Sequence, residues 1–208
     1  MTGPSHREPG GTPLHPHGGE PGAAGIAAWV AGRPVTVAAV EDRLAALRRG
    51  PYATRLPHPA TAEGRNLRRW LVQVLTVEAA VEHEATLLGL SAGDGVPRPV
   101  RLADALRTGG VVAAVIAAHP VARALRDRVA PPVPAEEAET QAYFHRNRDR
   151  YPQDYAVVRD ALAARLGAED SERRFARWLE QRCAALVRLE PGYEHPGDPR
   201  HADAVHRH

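Results

Sequence analysis

Apolar residues recur in steps of three and four through most of the chain, a spacing that predicts a protein built from helices. The strongest run extends from about Ala62 to Leu88. There Leu67, Trp70, Leu71, Val74, Leu75, Val81, Ala85 and Leu88 keep to one face, with a gap around Glu78. Gly89 follows as a natural C-cap. A shorter helix is predicted from about Val37 to Arg49, with Thr36 as N-cap and Val37, Val40, Leu44 and Leu47 on its inner face. Gly50, Pro51, Pro57 and Pro59 make the stretch between the two a loop.

Further along, "VRLADALR" predicts a short helix ended by Gly109 and Gly110. The run "VVAAVIAA" fits either a helix or a buried strand, because continuous apolar sequence has no period to read. His119-Pro120 interrupts it and "VARALRDRVA" resumes helical spacing. After "PPVP", the segment "AEEAETQAYFHRN" predicts a helix whose early acids suit its dipole. "YAVVRDALAARL" and "EDSERRFARWLEQRCAAL" predict two more helices, the second burying Phe175, Trp178, Leu179 and Cys183. Two segments read as strands, Ala27–Val30 and Leu186–Leu189. Lone strands leave backbone groups unpaired, so these two are expected to pair and close the ordered region N-to-C.

The expected fold is therefore mostly α, with six or seven helices and a two-stranded β element joining the chain ends. Residues 1–25, rich in Gly, Pro and His, are expected to be a disordered tail. Residues 26–190 form the helical domain, and residues 191–208 a His-rich C-terminal tail.

Composition narrows the chemistry. The 208 residues carry a formal charge of +2 and no lysine, which excludes Schiff-base catalysis and the lysine of a phosphate-binding P-loop. Arginines alternate with acids and form no basic stripe, so no nucleic-acid partner is expected. The single Cys183 allows no internal disulfide and reads as a small half-buried thiol. No secretory signal or bilayer-spanning run is seen, so a cytoplasmic protein with no membrane partner is expected.

The motif "GLSAG", from Gly89 to Gly93, fits the G-x-S-x-G nucleophile elbow with Ser91 at its centre. That elbow needs a strand before the serine and a helix after it. Here a long helix precedes it and "DGVPRP" follows, so a loop is the better reading. His83, in "EAAVEHEA", lacks both H-E-x-x-H and repeated Glu-x-x-His spacing, and reads as part of a solvated acidic face. His195, His201, His206 and His208 in the tail are the candidate ligands for a divalent metal, since neutral imidazoles suit zinc, nickel or copper. Their spacing is not the tight pairing of a structural zinc site. No other cofactor is implied.

The segments "WVAGRPVTVAAVEDRLAAL", "RRWLVQVLTVEAAVEHEATLLGL", "VPAEEAETQAYFHRNRDRYP" and "RRFARWLEQRCAALVRLE" together resemble the helical chaperone module of SurA/PrsA-type foldases. The resemblance covers about residues 26–190 and implies a strand, a capped helix, a long second helix and a returning helix with a final strand. Family members carry a parvulin prolyl-isomerase lobe near the position of Tyr151–Asp154. Here only "YPQDY" joins the helices, so no isomerase site is carried over. The ending "YEHPGDP…HRH" resembles short accessory proteins of actinobacterial aromatic-polyketide clusters.

The resemblance implies a non-catalytic, chaperone-like module holding a partner polypeptide or an apolar small molecule. The expected groove is lined by Trp70, Val74 and Leu75 on the second helix and by Tyr143 and Phe144. Each of these also fits a plain core position, because apolar stripes at helical spacing normally face inward. The alternative is a small accessory enzyme or metal protein of polyketide biosynthesis that uses the histidine tail.

Overall fold

In the computed structural model, which describes residues 25–51, 53–91, 110–195, 197 and 198, the chain enters through a hairpin. Strand β1 (Ile26–Val30) turns at Ala31 and Gly32 into β2 (Arg33–Thr36). Both turn residues have positive φ, 48° and 78°. This is the backbone of a two-residue type I′ turn, whose twist matches that of paired strands. Strand β3 (Val187–Leu189) pairs antiparallel with the other edge of β1, setting Ala28 opposite Leu189, Trp29 opposite Arg188 and Val30 opposite Val187. The expected N-to-C pairing is present, but the sheet has three strands in the order β2-β1-β3. The segment "RPVT" is not among the two expected strands, and its Pro34 lacks an N–H. As an edge strand it needs hydrogen bonds on one side only, so the proline is accommodated.

Thr36 ends β2 and caps α1 (Val37–Arg48), its hydroxyl accepting from the Ala39 N–H at 3.1 Å. A loop then leads to α2 (Ala62–Leu87), on which the body is assembled. Leu71, Val72, Val74, Ala80, Val81 and Ala85 are sealed from solvent against α1, the sheet and the later helices. Leu88 departs from its expected place on the inner face: it caps the helix and is exposed.

The ambiguous "VVAAVIAA" is helix α3 (Val111–Ala118). Pro120 opens α4 (Pro120–Val129), occupying the first-turn position where its missing N–H has no role. The extended segment 130–136 then leads to α5 (Glu137–Arg146). The helix predicted over "VRLADALR" lies outside the described residues, as do residues 1–24 and the histidines at 201, 206 and 208.

Where the sequence predicts two helices there is one, α6 (Tyr155–Leu186). Gly167 at its middle reads as a break, yet it is a crossing point. A Cβ there would lie 1.9 Å from the Val133 carbonyl oxygen. The segment 130–136 crosses α6 at this residue and is fastened to it. Ala135 N–H donates to the Ala163 carbonyl at 2.9 Å, the Ser171 hydroxyl donates to the Ala130 carbonyl, and Arg174 donates to the Pro131 carbonyl at 2.9 Å. The N-terminal half of α6 thus pairs with α5 around a second apolar cluster of Phe144, Leu162 and Leu166. Its C-terminal half enters the main core through Phe175 and Leu179.

Gly167→Ala decides between the two roles of that glycine. Helix propensity alone makes the change stabilising by about 1 kcal/mol. The crossing makes it destabilising by roughly 1–3 kcal/mol, the usual range for overpacking. Denaturant melts of the two proteins read the sign directly.

Candidate functional site

The buried face of α2 carries ionisable groups that hold its neighbours. Glu78 takes a two-pronged hydrogen bond from Arg43 of α1, at 3.1 and 2.7 Å. Glu84, only 6% exposed, is paired with Arg182 of α6 at 2.6 Å. On the outer side, Glu82 faces His119 at the α3–α4 junction, Oε1 to Nε2 at 3.7 Å. The imidazole holds the Glu82 carboxyl below its ordinary range, with Arg33 adding to the effect.

Between α2, the start of α3 and the C-terminal half of α6 lies a groove of about 700 Å³. Its apolar surface comes from Val77, Val111, Val112 and Ala176, with Gln73 and Cys183 among them. Its rim carries Glu169, Glu172, Arg173 and Glu180 of α6, and His195 of the C-terminal turn. Gly110, where the described chain resumes, begins α3 without a side-chain cap. The α6 residues that line the groove all follow the Gly167 crossing, and the Arg182–Glu84 pair ties that part of the helix to α2.

Cys183 is the one thiol at this surface. Burial raises its pKa to about 11, with Glu180 and Glu84 adding to the rise. A thiol of that kind stays protonated at neutral pH and is a poor nucleophile. Ser91 lies beyond a closed helix end, where Leu90 N–H donates to the Ala85 carbonyl at 2.8 Å and Gly89 N–H to the Thr86 carbonyl at 3.1 Å. A helix, not a strand, delivers this serine, so the elbow geometry is missing.

The five residues expected to line one groove do not meet. Val74 is fully buried, and Trp70 and Leu75 pack around it in the main core. Phe144 is buried in the second cluster, among Tyr143, Tyr151 and Tyr155. Val74 and Phe144 are buried and the other three are partly buried beside them, in two separate clusters.

Of the tail histidines, His195 alone is described. Its Nδ1 accepts from the Gly197 N–H at 3.0 Å, and it stands at the groove. Among the described residues no group of three His, Cys, Asp or Glu side chains is placed to hold a metal ion. Two positions before His195, Tyr193 is buried against the main core, so the packed chain extends past residue 190. No helix among the described residues is long and apolar enough to cross a membrane.

A family of unknown function, DUF7158, matches residues 26–63, the span of β1, β2, α1 and the loop into α2. No curated protein and no solved structure matches the chain.

The buried thiol gives a pH test. Alkylation of Cys183 by iodoacetamide should be slow at pH 8 and rise with a midpoint near 11, against 9.0 for an unperturbed thiol. Between those values the unfolded chain releases its proton first, so this thiol makes the fold less stable as pH rises. Rapid alkylation at pH 8 would contradict this picture.

Proposed function

We propose that the chain is a non-catalytic, chaperone-like module that holds a partner polypeptide in the groove between α2, α3 and α6. The observation that carries this reading is the groove itself, an open trough with an apolar floor and a polar, charged rim. Apolar surface left uncovered at such a site is the usual mark of a binding surface. A floor of Val and Ala side chains grips by area and shape and makes no demand for a particular sequence, which suits a holder of unfolded chain.

The chain order of strand, capped helix, long helix and returning helix with final strand supports the same reading, since it is the order the resemblance to SurA/PrsA-type helical modules implies. The protonated state of Cys183 and the helix-end setting of Ser91 count against nucleophilic catalysis at the two positions where the sequence offers it. The alternative, an accessory enzyme or metal protein using the histidine-bearing end, is supported by His195 alone at the groove.

The test is suppression of aggregation of reduced, denatured lysozyme by the full chain. Ala113→Trp and Ala176→Trp fill the groove from opposite walls, so two variants guard against one misfolding. Each is expected to abolish suppression while keeping a cooperative melt. Phe144→Ala, in the second cluster, should cost roughly 3–5 kcal/mol of stability and leave suppression by the remaining folded protein intact. Suppression that survives both tryptophans contradicts the groove reading.

A further inference from the structure

One polar group beside the groove floor lacks a partner. Gln73 lines the groove, and its Nε2 is shut off from solvent with no acceptor among the described residues. A buried donor left unpaired costs more than an ordinary hydrogen bond gains, so such a group calls for a reason. A carboxamide offers a donor and an acceptor on one flat group, the same pair that a peptide unit offers in reverse. Its last torsion is broad, so either atom can be turned to the groove.

The rim adds a charge preference. Among the described residues, Glu169, Glu172 and Glu180 stand there with one arginine, Arg173. Glu169 reaches Arg165 at 3.5 Å, Glu172 reaches Arg126 at 3.6 Å, and Arg173 reaches Asp170 at 3.5 Å. Pairs this loose and this exposed are readily exchanged. Glu180 has no ion-pair partner among the described residues, and it lies close enough to Cys183 to raise that thiol's pKa.

Building on the groove reading, we propose that its occupant is an extended polypeptide segment carrying arginine or lysine. The Gln73 carboxamide pairs with one peptide unit of that segment, and Glu180 takes the cationic side chain. An extended segment brings unpaired N–H and C=O groups, whereas a helical one has already used them. An acidic segment would set its carboxylates against three of the rim's own.

The experiment is calorimetric titration of the full chain with two nine-residue peptides of alternating valine and alanine, one bearing two arginines and the other two glutamates. The arginine peptide is expected to bind at least tenfold more tightly, with an affinity that falls as salt rises. Glu180→Gln should remove most of that difference. Gln73→Leu should weaken the arginine peptide by about tenfold, the worth of one hydrogen bond, without changing its salt dependence. N-methylation along the peptide backbone should cost the unmodified chain more than it costs Gln73→Leu.

No binding of the arginine peptide overturns the inference, as do equal affinities for the two peptides. Unchanged binding in both Gln73→Leu and Glu180→Gln, with loss only in Ala113→Trp and Ala176→Trp, overturns it and leaves the groove reading standing. Lysozyme suppression that survives those tryptophans overturns the groove reading itself.

Discussion

Burial of α2 on most of its faces is the constraint on which the other elements depend. A 26-residue helix in that position must be apolar nearly all round or must neutralise what is not. The chain does both. Val72, Val74, Ala80 and Val81 fill the interior, while Glu78 and Glu84 are met by Arg43 and Arg182. Those two pairs tie α2 to the first and last helices at once. Glu84 is buried while Arg182 keeps part of its side chain in solvent, so the pair spares α2 an uncompensated buried charge and fixes where α6 lies beside it. The β1–β3 pairing then closes the same ring from outside, with the Trp29 indole N–H donating to Glu190 at 2.9 Å beyond β3.

This arrangement leaves α6 with two tasks. Its second half completes the core around α2 through Phe175, which stacks on Trp178 at 5.6 Å, and through Leu179. Its first half carries α5 away from that core on a separate cluster, braced by Arg165, which donates to the Tyr151 hydroxyl. The crossing at Gly167 divides the halves while the helix stays continuous, and the α6 residues that line the groove all follow it.

Much of the fold was legible in the sequence because the signals are local. Thr36, the 3–4 spacing from Leu67 to Ala85, and Pro120 each act within one or two turns of where they stand, and each predicted its element. Two departures share one cause. Gly167 and Pro34 are both local breakers, and both sit inside regular elements because of a distant partner: the Val133 backbone for the first, an edge position beside β1 for the second. Leu88 failed in the opposite sense, since the periodicity ran on after the neighbours of α2 had ended.

The groove was not legible for the same reason. Gln73, Val77, Ala176 and Glu180 read as unremarkable steps on two helices, and only the packing of α6 beside α3 brings them together. Trp70 and Phe144 stand out in the sequence as aromatic residues, and their large apolar surface packs them against the two cores. The measurement that most directly tests the central claim is an amide chemical-shift map of the full chain titrated with reduced, denatured lysozyme. A polypeptide held in the groove shifts Gln73–Val77, Gly110–Ala113 and Ala176–Cys183. Shifts confined to α5 and the first half of α6, around Tyr143 and Phe144, would contradict it.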